Sequence, residues 1–161
     1  MAVDLEERPG GVPLAELYEA DEVAWLDLMA GLAAAGRAGE LDLVNLQEYL
    51  ESMSRRDKRS VNSRLTLLLR HLLKWEHQPG KRGVSWLLTI REQRRVLAAD
   101  FADSRTLRRH ADGALPAAYA DAREDAALET GLPLAAFPPD CPYTLDAALS
   151  APLDGDPTAA E

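Results

Sequence analysis

The stretch VNSRLTLLLRHLLKW, residues 61–75, decides the fold. Val61, Leu65, Leu68, Leu72 and Trp75 recur four and three residues apart, and Leu69 and Leu73 widen the same stripe. That alternation follows the 3.6-residue period of an α-helix and lays a broad apolar band along one side of it. A band so wide must be covered by other elements, and helices supply the natural cover. The helix should end by His77, ahead of Pro79-Gly80.

Outward from that stretch the pattern stays helical. After the basic turn Lys81-Arg82-Gly83, Trp86, Ile90, Leu97 and Phe101 share one face of a helix over about 85–102, with Gln93 in line. Asp103-Ser104 interrupts it, and Ser104 can cap the helix that follows over 106–130. Gly113 and Pro116 predict a break or sharp kink in that helix, because proline removes a hydrogen bond and crowds the preceding turn. Beyond them Tyr119, Ala122 and Ala126 offer a small-residue face, and Gly131 ends the element. The proline-rich segment 132–143 carries Leu134, Phe137 and Tyr143, which calls for an ordered strap. Thr144 then caps a short helix to about Leu149, and a mobile tail is expected over 151–161.

Toward the N-terminus, Ser54 predicts a break before the central helix. A second helix should open at Asp42, with Leu43, Leu46, Leu50 and Met53 as its core-facing line. A first helix runs from Leu14 to about Gly36 on the line Tyr18, Trp25, Met29 and Leu32, and residues 1–13 read as a flexible lead-in. The fold expected is all-α: an antiparallel bundle of about five helices in a single domain over 14–150, with the strap and the short terminal helix closing it.

Composition agrees. The chain has 161 residues, 47% of them apolar and 28% charged, enough for a real core and too apolar for wholesale disorder. The lone cysteine, Cys141, excludes an internal disulfide and a thiolate metal cluster. No basic leader precedes an apolar run, and no run reaches the roughly 20 apolar residues a membrane span needs, so a cytoplasmic protein without membrane contact is expected. The net charge of −9 disfavours nucleic acid as a partner, yet it is unevenly spread. Between Arg55 and Arg95 stand 12 Lys or Arg against three acids, a local +9 that leaves −18 for the rest.

Residues 71–79, HLLKWEHQP, then Ser85-Trp86 and the run TIREQR at 89–94, resemble one family. Tyr119, Ala122 and Arg123 before Glu129-Thr130-Gly131-Leu132 match it too, as do Phe137-Pro138 and the closing CPYTL at 141–145. The family is the bacterial one catalogued as domain of unknown function twenty-nine, and the resemblance covers about residues 18–149. It implies a helical bundle and brings no activity, cofactor or catalytic residue. The glycine-rich Gly80-Lys81-Arg82-Gly83 departs from the charged loop of the family and implies a more mobile turn.

No catalytic residue and no cofactor is legible. Glu three residues before His, as in helical carboxylate-bridged metal sites, fails at His71, His77 and His110, which follow Leu68, Lys74 and Leu107 at that interval. Glycine-rich phosphate loops and nucleophile elbows are missing from the sequence. What stands out is a constellation on the third, fourth and fifth helices: His71 and Trp75 one turn apart, Trp86, the arginines Arg91, Arg94 and Arg95, and the pair Tyr119 and Arg123. Converging guanidinium groups beside an indole could hold a phosphate or carboxylate, while Glu129, Glu48 or Glu51 could pair with them and lock the bundle instead. Arg55, Arg56, Lys58 and Arg59 form a second cluster, placed by the expected break at the positive end of the central helix, where cations are disfavoured unless an anion meets them.

Three functions are therefore open. The first is a non-enzymatic module that binds protein, itself or another. The second is a small anionic-ligand or enzymatic pocket among the third to fifth helices. The third is weak nucleic-acid binding through 55–59.

Overall fold

A computed structural model describes residues 13–159, so the expected lead-in falls outside the described residues except for Pro13. The chain is all-α, with six helices and no strand among those residues: α1 (Leu14–Ala20), α2 (Glu22–Ala34), α3 (Leu43–His77), α4 (Val84–Asp103), α5 (Arg105–Thr130) and α6 (Leu145–Ser150). It divides into two compact units at residue 55.

The first unit is built on Trp25, which is fully buried with Leu17, Met29 and Leu32. Its indole meets Tyr18 edge-on, ring centres 4.7 Å apart, and donates to Asp42 Oδ2 at 3.2 Å. Asp42 accepts from the Asn45 amide at 3.3 Å and so caps α3 as the sequence predicts. Burial works to raise this carboxyl, but the hydrogen bonds from Asn45 and Trp25 outweigh it and hold the pKa below the usual range. The single first helix expected from Leu14 to Gly36 is two, because Asp21 leaves helical geometry and its side chain accepts from Ala24 N at 3.0 Å, capping α2. Gly36, at φ 70°, makes the left-handed exit from α2.

The break expected at Ser54 does not occur: α3 runs for 35 residues without interruption. Nothing between 43 and 77 is glycine or proline, a mid-helix serine costs only a few tenths of a kcal/mol (~0.5) relative to alanine, and Gln47, Glu51 and Arg55 link side chains along the surface.

The second unit's core joins Val61, Leu65, Leu68, Leu69, Leu72, Leu73 and Trp75 of α3 to α4 through Leu87, Ile90, Leu97 and Phe101. From α5 come Tyr119 and the alanines Ala111, Ala118, Ala122 and Ala126, and the small alanine side chains let the backbones approach. Neither Gly113 nor Pro116 interrupts α5. Pro116 and Asp112, whose carbonyl the missing proline N–H would have met, are both exposed, so water can satisfy that oxygen. Ser104 and Thr144 cap α5 and α6 as expected, accepting from Leu107 N at 3.2 Å and Ala147 N at 3.1 Å.

Candidate functional site

The aromatic and basic residues of the second unit grip the chain's own segment 134–158. Tyr119 is buried and its hydroxyl donates to the Pro138 carbonyl at 2.7 Å. One turn on, Arg123 donates to the carbonyls of Leu134 and Phe137 at 3.0 to 3.2 Å, and Phe137 is driven into the core against His77. This is the ordered strap, although Leu134 stays exposed.

Trp75, Arg91 and Arg94 hold the segment beyond it. The Trp75 indole donates to the Asp154 carbonyl at 2.8 Å, Arg94 Nε donates to the Ala148 carbonyl at 2.9 Å, and Arg91 pairs with Asp156 at 3.2 Å and bonds the Thr158 hydroxyl. Burial pulls the Arg94 pKa down from its ordinary value. Asp154, Asp156 and Thr158, within the tail expected to be mobile over 151–161, thus bond to side chains of α3 and α4. Arg82, not singled out from the sequence, completes this contact by bonding the Trp75 carbonyl at 2.8 Å and Asp154 at 3.3 Å, with its guanidinium over the Trp75 ring. Arg95 stands apart, exposed and paired with Glu92 at 2.8 Å.

Glu129 does not join those arginines. It receives Lys74 Nζ at 2.6 Å and Arg70 at 3.2 Å, and Lys74, itself buried, lies 4.5 Å from the centre of the Trp86 ring. Burial would raise the Glu129 carboxyl, but the bond from Lys74 and the charge of Arg70 bring it below the usual range. His71 neighbours this network. Its Nδ1 is 3.0 Å from the Leu67 carbonyl, which can only accept, so the neutral ring carries its proton there. Burial lowers the His71 pKa and, with the charges of Lys74 and Arg70, outweighs the bond to Leu67 and the charge of Glu129, which work to raise it. The eight named residues are thus shared out: Trp75, Arg91 and Arg94 meet residues 148–158, Tyr119 and Arg123 meet the strap, His71 and Trp86 neighbour the Lys74–Glu129 network, and Arg95 pairs with Glu92. Beside Arg70, an open polar cleft of about 550 Å³ is lined by Asn62, Ser63, Thr66, Asp121, Glu124 and Asp125.

The basic cluster also lies elsewhere than expected. Since α3 starts at Leu43, Arg55, Arg56, Lys58 and Arg59 sit mid-helix and meet no helix-end dipole. Glu51 pairs with Arg55 at 3.5 Å. Asp57 interrupts the cluster and, with Asp100 and Asp103, lines a neighbouring cleft of about 300 Å³.

The sharpest departure is on the first turns of α3. The line expected to face the core is largely in solvent: Leu43 is 63% exposed, Leu50 58% and Met53 41%, with Val44 beside them at 79%. Leu46 and Tyr49 alone turn toward the Trp25 cluster. The spacing 43, 46, 50, 53 correctly marks an apolar stripe, but nothing in it says which element covers the stripe. Leu43, Leu50 and Met53, seven and three residues apart, are exposed along one side of the helix, the spacing by which one helix packs on another.

Among the described residues no helix is long and apolar enough to cross a membrane, and no three His, Cys, Asp or Glu side chains group as metal ligands. Compared with known proteins, the chain matches a family model described as Domain of unknown function DUF29 over residues 17–152. No curated protein and no solved structure matches it.

Proposed function

The chain belongs to the DUF29 family, whose description assigns no function, and on that premise we propose that it is a helical protein-interaction module. Its contact surface is the start of α3, and its partner a protein that offers an amphipathic helix. The observation that carries this reading is the exposure of Leu43, Val44, Leu50 and Met53 within the first three turns of one helix. Solvating such a stripe forgoes about 25 cal/mol for each Å² of apolar surface, which a covering helix would recover. By contrast, isolated exposed leucines such as Leu128 need no partner to explain them.

The anion-pocket reading has less support. Arg91, Arg94 and Arg123 already donate to carboxylates or carbonyls of this chain, so a free anion would have to displace them. Nucleic-acid binding is disfavoured by Asp57 within the basic run and by Asp100 and Asp103, which line a cleft with it.

The test is a photo-crosslinking amino acid placed at Leu50, with Leu128 as the exposed control, in native-cell extract treated with nuclease. A protein adduct of defined mass at position 50 and none at 128 is expected. No adduct at 50, or the same adducts at both positions, overturns the reading.

A further inference from the structure

We infer that the helix which covers the start of α3 is α3 of a second copy, packed antiparallel; this rests on the interaction reading above. The stripe is self-complementary. Leu43, Leu46, Leu50 and Met53 are spaced three, four and three, the alternation of a two-helix seam. Turned end for end about the level of residue 48, the same four positions form matched layers: Leu43 meets the second copy's Met53, and Leu50 meets the half-exposed outer side of its Leu46, whose inner side packs on the Trp25 cluster. The two central layers are leucine on leucine, and the outer two are identical by symmetry, as an isologous contact requires.

Charge selects the antiparallel arrangement over the parallel one. Arg55, Arg56, Lys58 and Arg59 begin two residues beyond Met53 on the same helix. In a parallel pair these cations would lie beside their own copies, and like charges at that range repel. In the antiparallel pair they pass the seam and reach the start of the other copy's α3 and the unit it belongs to. Residues 13–55 of that unit carry nine carboxylates (Glu16, Glu19, Asp21, Glu22, Asp27, Glu40, Asp42, Glu48, Glu51) against Arg37 and Arg55. The asymmetry of charge along the chain thereby acquires a use: the basic run of each copy meets the acidic unit of the other.

Sedimentation of the full chain over a concentration series tests the inference. The mass should rise from that of the 17.6 kDa monomer toward twice that value, and Leu50→Glu should hold it at the monomer. Because Leu50 is exposed, unchanged helicity in that variant separates lost association from lost folding. Arg55→Glu with Arg56→Glu then reads the orientation: at least fivefold weaker association is expected for the antiparallel pair. Tighter or unchanged association overturns that orientation. A chain that stays monomeric throughout overturns the second copy as occupant, and an adduct of another protein at position 50 would still sustain the interaction reading.

Discussion

Arg123 shows what a single side chain does in this molecule. It holds two carbonyls of the strap with one guanidinium, and charge-assisted bonds of this kind contribute roughly 1.5–3 kcal/mol to stability. Arg123→Met should therefore lower urea-unfolding stability by about 2 kcal/mol, and an unchanged midpoint would mean that Phe137 anchors the strap alone. His71 gives a pH dependence whose sign follows from its burial. Its pKa in the folded chain is below the ordinary value, so the unfolded chain binds the proton more tightly. The stability from the neutral ring is complete above about pH 6.5 and is lost as pH falls through the depressed folded value. The thermal midpoint should drop between pH about 7.5 and about 5.5, and His71→Asn should flatten that drop. Most of these partners were hidden in the sequence. Tyr119, Arg123, Trp75 and Arg91 could be marked as residues with something to bind. That Tyr119, Arg123 and Trp75 bind carbonyls of 134–154 could not, because backbone oxygens carry no residue signature and the separations run from 11 to 79 positions.

At the scale of elements, α4 and α5 show why periodicity succeeds and where punctuation misleads. The stripes of α4 and of 61–75, and the caps Asp42, Ser104 and Thr144, were legible because they are local: the apolar repeat and a hydroxyl or carboxylate within three residues suffice. Breaks were not. Ser54 and Pro116 are compatible with ending a helix, and whether they do depends on what packs beside them and on whether water reaches the freed carbonyl. The start of α3 fails for a related reason, since an amphipathic repeat fixes a face and not its cover. The alanine face of α5 makes the firmest element-level prediction. Ala122 is fully buried where helices approach closely, so Ala122→Leu should overpack it and cost about 1–3 kcal/mol in chemical denaturation. Ala120→Leu, on the exposed side of the same helix, should leave stability within about 0.5 kcal/mol.

Across the whole molecule, α3 is the one element that contributes to both compact units. Its N-terminal end is pinned by the Asp42 cap and the Trp25 indole, and its C-terminal end by the Trp75 contact with Asp154. From 51 to 60, by contrast, every residue is exposed or half-exposed, and the backbone bonds there have little side-chain cover. Isolated helices lose their order first at the two tips, where the terminal groups lack partners. Here the order of events should be reversed. In the monomer, amide hydrogen exchange ought to be fastest at 51–60 and slower on both flanks, and uniform protection from 43 to 77 would contradict it. On the exchange clock, α3 frays from its middle.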